Sequence, residues 1–182
     1  MPGTIFLEGE SVSLRTIEEE DLKFIIDNIN SSEIRPWVSH RGPNNIKQET
    51  KFFHEEISQD NDTDYFLICR EEQPIGFVCL KEKWKDSKLA EIEIWITPNE
   101  HGNGYGTDAA RLITNYAINE LNIHKIVVLV AGNNPQSETI WKKLGYNQEG
   151  NLKNAAYIKG EYRNIKYYGI TQKEWQENEK TK

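Results

Sequence analysis

The stretch from Leu89 to Arg111 constrains this chain more than any other. Glu91, Glu93 and Trp95 alternate with Ile92, Ile94 and Ile96, the period of a β-strand. His101-Gly102-Asn103-Gly104-Tyr105-Gly106-Thr107 follows, and then a helical pattern that sets Ala110, Ile113, Tyr116 and Ala117 on one side. Glycines let a backbone approach a ligand closely and turn successive N–H groups toward it, while a helix N-terminus adds the positive end of a dipole. A strand, a glycine loop and a helix in that order predict a seat for a phosphate or pyrophosphate. Spacing decides among the phosphate loops. A Walker loop ends in Gly-Lys-Ser/Thr, and this one ends Tyr105-Gly106-Thr107. A dinucleotide fingerprint counted from Gly102 would need Gly or Ala at Thr107. That fingerprint also belongs after the first strand of its unit, whereas here several strands and two helices come first.

The rest of the chain supplies elements around this segment. Val12, Leu14 and Ile17 read as a short strand, and Thr16-Ile17-Glu18-Glu19 as a capping box opening a helix to about Asn30, with Leu22, Ile25, Ile26 and Ile29 inward. A polar loop, Ser31 to Asn45, precedes a second helix to about Ser58, with Ile46, Thr50, Phe53 and Ile57 on one side. Tyr65–Cys69 and Ile75–Leu80 form a hairpin about Glu71-Glu72-Gln73-Pro74. After the helix that follows the glycine loop, Ile126–Val130 reads as a strand buried on both faces. A helix from Pro135 stops at Gly145, and two strands between Gln148 and Thr171 turn at Lys159-Gly160-Glu161. The order is β-α-α-β-β-β-α-β-α-β-β, with no repeat or linker, so one domain over 1–182 is expected, ordered over about 8–175.

His101-x-x-Gly104-x-Gly106 resembles the Q/R-x-x-G-x-G/A loop of the GNAT acetyltransferases. Asn134-x-x-Ser137-x-x-x-Trp141-x-x-Leu144-Gly145-Tyr146 is similar to a second motif of that family. Gln148–Lys153, Gly160–Ile165, Tyr168–Ile170 and Glu174-Trp175 resemble its RimJ/RimL branch of ribosomal-protein and small-amine acetyltransferases. The resemblance covers nearly the whole chain in order. It implies an α/β (α+β) fold: a mixed, mostly antiparallel sheet splayed between strands 4 and 5, flanked by about four helices, with acetyl-CoA in the gap and no metal. It further implies that Gly102, Asn103, Gly104, Tyr105, Gly106 and Thr107 hold the pyrophosphate, with His101 where Gln or Arg is usual. Backbone groups at Trp95 and Ile96 would pair with the pantetheine arm, and one N–H could polarise the thioester carbonyl. Asn134, Ser137 and Trp141 match positions at the thiol end. Trp141 stands where the family often has a tyrosine acid, a role an indole N–H cannot fill, which leaves Ser137 or water to supply the proton.

The implied reaction is attack of a neutral amine on a thioester. An α-amine with a pKa near 8 is about a tenth neutral near pH 7, whereas a lysine-like amine near 10.4 is neutral about once in a few thousand. The second kind needs a strong base. Glu91 is the first candidate and Glu93, on the same strand face, the second. Trp37, His40 and Arg41 of the long loop, together with Tyr162 of the last hairpin, are the acceptor-binding candidates. The expected acceptor is a peptide or protein N-terminus or a small-molecule amine, with a polyamine such as spermidine, or an aminoglycoside, as alternatives. A catalytically silent acyl-CoA sensor is the other class, motivated by Trp141.

Charge and composition exclude other classes. The chain carries net charge -7, which opposes direct nucleic-acid binding through phosphates. The first half, 1–91, holds 11 basic and 19 acidic residues and would welcome a cation, whereas 92–182 holds 11 and 10. Two cysteines, Cys69 and Cys79, are too few for a zinc site or disulfide framework. The longest apolar run, Ile126–Ala131, is too short to span a bilayer, and nothing in MPGTIFLEGE marks export, so the cytoplasm is expected. The tail strands could pair between subunits, which leaves a homodimer open.

Overall fold

The computed structural model describes residues 3–38, 42–59 and 62–180, the side chains at 82 and 83 excepted. Its contacts define two compact units, Met1–Cys79 with Ile94–Leu112, and Leu80–Glu93 with Ile113–Lys182.

In the first unit, β1(Ile5–Glu8), β2(Ser13–Arg15) and β3(Thr63–Arg70) pair antiparallel in that order, followed by the first part of β4(Gln73–Trp84) and the end of β5(Leu89–Ile96). Glu71 and Glu72 both take positive φ, giving a two-residue turn, so β4 starts at Gln73 rather than beyond Pro74. Between β2 and β3 lie α1(Leu22–Ile29) and α2(Ile46–Phe52), the latter continued as a π-helical turn over Phe53–Ile57. Ile17, Leu22, Ile25, Leu67 and Cys69 form one buried cluster, each large aliphatic member contributing about 1.5–3 kcal/mol.

One expected cap moves. The Thr16/Glu19 box does not form, because the Asp21 carboxylate is taken bidentately by the buried Arg15 guanidinium at 2.7 and 2.8 Å and also accepts the Glu18 N–H. The turn therefore starts at Glu19, with Glu18 as its cap, and Thr16 Oγ accepts from the Thr4 N–H instead. In α2, Asn45 caps the N–H groups of Lys47 and Gln48, which phases the helix so that Glu49 is buried and Ile46 is exposed.

In the second unit, the strand order is β4, β5, β6(Lys125–Ala131), β8(Glu161–Thr171) and β7(Asn147–Ile158). β6 is antiparallel to β8 from Lys125/Thr171 to Ala131/Ile165. Its parallel ladder with β5 has three pairs and ends at Glu91/Val127, while β6 runs on beside β8 alone. β6 buries alternate residues and exposes Leu129, so it is not covered on both faces as its apolar run suggested. α3(Tyr105–Asn119) contributes its second half here, and α4(Pro135–Lys143) follows β6.

Among the described residues, eight strands make the expected mixed, mostly antiparallel sheet, with five α-helices in place of about four. The added helix is α5(Gln172–Lys180). Thr171 and Glu174 cap it reciprocally, and Trp175 is buried with its indole N–H on Asn115 Oδ1 at 2.8 Å. Among the described residues, no helix is long and apolar enough to cross a membrane.

Candidate active site

β5 leads directly into the glycine loop. Gly76 on β4 has no room for a side chain, because a Cβ there would strike the Trp95 carbonyl. The Trp95 ring stacks between Phe24 at 5.8 Å and Phe77 at 5.9 Å, so packing fixes the strand end from its side chain. Thr97 N–H donates to the Ile75 carbonyl, and a 3-10 turn spans Pro98–Glu100. His101 Nε2 lies 2.9 Å from the Ile96 carbonyl. The carbonyl can only accept, so this ring nitrogen carries a proton, and the side chain ties loop to strand.

Gly102 and Gly104 take φ of +82° and +86°, and a Cβ on either would meet nothing within 4 Å. This space above the loop fits a group seated on the backbone. The N–H groups of Tyr105 and Gly106 lie in the first turn of α3, where a helix offers no acceptor four residues back. Asp108, the acid of that first turn, is occupied elsewhere: its Oδ2 accepts from Ser11 N–H at 2.7 Å, Ser11 Oγ at 2.9 Å and Val12 N–H at 3.1 Å. Arg70 braces the loop through Glu100 and Tyr105. Its Nη1 lies 3.0 Å from Glu100 Oε2 and 3.5 Å from Tyr105 Oη, with the guanidinium over the Tyr105 ring.

The second unit holds a different set. Glu91 is buried at the last β5–β6 pair, and Glu93 is ion-paired with Lys81 at 2.8 Å. Asn134 caps α4 by accepting the Ser137 N–H at 3.1 Å. Trp141 is 1% exposed, packs edge-on to Tyr146 and donates its indole N–H to Ser137 Oγ at 3.2 Å. Tyr146 in turn shares a buried hydrogen bond with Thr114, and burial raises its pKa.

Next to Ser137, Glu138 Oε1 accepts from Lys166 at 2.6 Å, and its Oε2 accepts from Tyr168 at 2.9 Å and Lys142 at 3.1 Å. The Lys166 hydrogen bond above all, outweighing burial and helped by Lys142 and Tyr168, holds the Glu138 carboxyl down at about 2. A folded-state value below the unfolded one stabilises the fold above the unfolded pKa, and that contribution is lost as pH falls toward 2. Glu138→Gln should therefore cost about 1–2 kcal/mol in urea unfolding near pH 7, a solvent-screened figure, and close to nothing near pH 2.

Of the acceptor candidates, Trp37 is half-exposed in a 3-10 turn of the first unit. Tyr162 is exposed against Tyr157 at the β7–β8 turn of the second. His40 and Arg41 lie outside the described residues. Gly76, Arg70, Asp108 and the Glu138 cluster are structural finds. Gly76 was signalled by a lone glycine inside a strand pattern, and Glu138 by its i, i+4 spacing to Lys142. Arg70 and Asp108 had no local signal.

A model of the acetyltransferase (GNAT) domain matches residues 11–147. Spermidine N(1)-acetyltransferase of Escherichia coli is 32% identical over 175 residues, covering 95% of this chain and 92% of the relative. A crystal structure of spermidine N-acetyltransferase from Vibrio cholerae in complex with CoA and spermine superimposes with a TM-score of 0.84 at 27% identity, over 91% of this chain and 98% of that one. A putative ribosomal N-acetyltransferase of Bacillus subtilis is 30% identical, but over 56% of this chain and 55% of its own. The RimJ/RimL resemblance thus holds over about half the length, and the spermidine enzymes match from end to end.

Proposed function

The chain belongs to the GNAT family and is an acetyl-CoA-dependent N-acetyltransferase, and from that premise we propose that its acceptor is a polyamine of the spermidine class. The observation that carries the acceptor is the end-to-end match to spermidine acetyltransferases. The excess of 19 acidic over 11 basic residues in 1–91 agrees with it, since a polycation is drawn to that half of the chain. A polyamine is favoured over a protein N-terminus on these two grounds.

In this reading the whole chain, 1–182, serves as one catalytic domain. The backbone N–H groups of Gly102 to Gly106 bind the pyrophosphate, and the backbone at Trp95 and Ile96 binds the pantetheine arm. Asn134 and Ser137 serve the thiol end. Glu91 removes the proton from the attacking amine, a task a polyamine imposes because so little of it is neutral near pH 7. Glu93, held by Lys81, sets the local charge instead. Acetyl-CoA supplies the activated acyl group.

The acceptor is tested by competition between spermidine and a serine-starting peptide in one reaction. Spermidine should be preferred in kcat/KM by more than about tenfold, equivalent to about 1.4 kcal/mol of transition-state binding. Preference for the peptide would return the enzyme to the ribosomal-protein reading.

A further inference from the structure

Trp141 holds the position where a tyrosine acid is usual, yet its one polar atom is committed in a defined direction. Its indole N–H donates to Ser137 Oγ at 3.2 Å, and the ring is locked by burial and by Tyr146 at 5.0 Å. The Ser137 backbone is locked as well, through its N–H on Asn134 Oδ1. A serine hydroxyl has one donor and two acceptor sites. With an acceptor site filled by the indole, the hydrogen must point away from Trp141.

A hydroxyl inside a helix can turn back onto the carbonyl four residues earlier. Thr139 does so, donating to the Pro135 carbonyl at 2.7 Å. Ser137, in the first turn of α4, has no residue of its own helix four back to turn onto, and its hydroxyl donates to nothing among the described residues. The adjacent Glu138 carboxylate takes its hydrogen bonds from Lys166, Tyr168 and Lys142, and Ser137 is not among its donors. The result is a half-buried hydroxyl with an aimed and unspent proton.

We infer that Trp141 is a positioning residue that aims the Ser137 O–H as a hydrogen-bond donor to the departing thiolate. The inference rests on the proposed placement of Ser137 at the thiol end. As the amine nitrogen bonds to the acyl carbon, the C–S bond breaks and its electron pair leaves on sulfur. Glu91 holds the proton whose removal freed the amine, and the second N–H proton, lost as the amide forms, passes to water. Ser137 stabilises the sulfur charge without giving up its own proton, since an alkoxide is far more basic than a thiolate. Water protonates the sulfur on release. The indole thus contributes to the step that a tyrosine would otherwise serve, but through charge stabilisation and not as an acid.

The test is the ionisation of bound CoA, followed by the ultraviolet absorbance of its thiolate against pH. Bound to the native chain, CoA should ionise about tenfold more readily than free CoA, the effect of one hydrogen bond to a charged group. Ser137→Ala and Trp141→Phe should each abolish most of this shift, and the double variant should add nothing. In both, kcat should fall about 3–10-fold with KM for acetyl-CoA within about twofold. Should Trp141→Phe fail to fold, benzothienylalanine at 141 keeps the shape and removes only the N–H, with the same expected result. Native thiol ionisation retained without the indole N–H would reduce Trp141 to packing and overturn the inference, and native ionisation in Ser137→Ala would do the same. Desulfo-CoA should bind all forms alike. If no form binds either CoA or desulfo-CoA, the cofactor reading itself fails, a result distinct from unshifted ionisation.

Discussion

Replacing Glu91 by Gln should lower kcat/KM for spermidine by about 10²–10³, the range for loss of a positioned general base. The substitution keeps the size of a buried side chain, so the melting temperature should stay near that of the native chain while KM for acetyl-CoA moves by less than about twofold. Without the base, only the amine already neutral in solution can react. The residual rate should therefore climb about tenfold per pH unit from about pH 7 to 9, until the amine's own pKa near 10 is approached. A serine-starting peptide, whose α-amine is about a tenth neutral near pH 7, should lose far less. Glu93→Gln removes the partner of Lys81, and its effect on kcat should stay within about threefold, as for an exposed ion pair. A larger loss at Glu93 than at Glu91 would reverse the assignment.

Gly104→Glu should separate binding from folding. The residue stands at φ +86°, a conformation that costs a side-chain-bearing residue about 1–2 kcal/mol, but a Cβ there meets nothing within 4 Å. The chain should fold, somewhat less stably. The new carboxylate would sit at the glycine loop before the first turn of α3, competing for its N–H groups and repelling the pyrophosphate. Acetyl-CoA affinity measured by calorimetric titration should drop at least about 100-fold, or about 2.7 kcal/mol. Gly104→Ala adds the backbone strain without the charge and should cost about tenfold or less. Equal losses in the two variants would mean that loop conformation, and not anion seating, dominates.

The cofactor loop was legible in the sequence because its information is local. The strand alternation, the glycine spacing and the helix all fall between Leu89 and Asn119. What the sequence hid was of two kinds. Some signals were local but drowned: α5 is announced by Thr171 and Glu174 at capping-box spacing, followed by Trp175, yet the surrounding residues are so polar that the segment reads as a tail. The two-strand start was compressed into one strand for the same reason, β1 being a short, largely exposed IFLE.

Other signals were never local. Asp108 meets Ser11 across 97 residues, Arg70 meets Glu100 across 30, and Glu138 meets Lys166 across 28. No periodicity encodes such pairings. The Arg15–Asp21 pair shows how one of them defeats a local rule, since a salt bridge six residues long fixes Asp21, whose carboxylate accepts the Glu18 N–H and makes Glu18, not Thr16, the cap. Trp141 is the instructive site residue. Read alone, it suggested lost activity. Buried, with its N–H on Ser137, it is part of an ordered hydrogen-bond chain, which agrees with an active enzyme.

Steady-state CoA release from acetyl-CoA on addition of spermidine tests the central claim most directly. The proposed function predicts spermidine-dependent release, saturable in both substrates, with one acetyl group appearing on the polyamine for each CoA released. Binding of acetyl-CoA with no CoA release on adding spermidine or spermine, alongside turnover of an N-terminal peptide or of no amine at all, would contradict it.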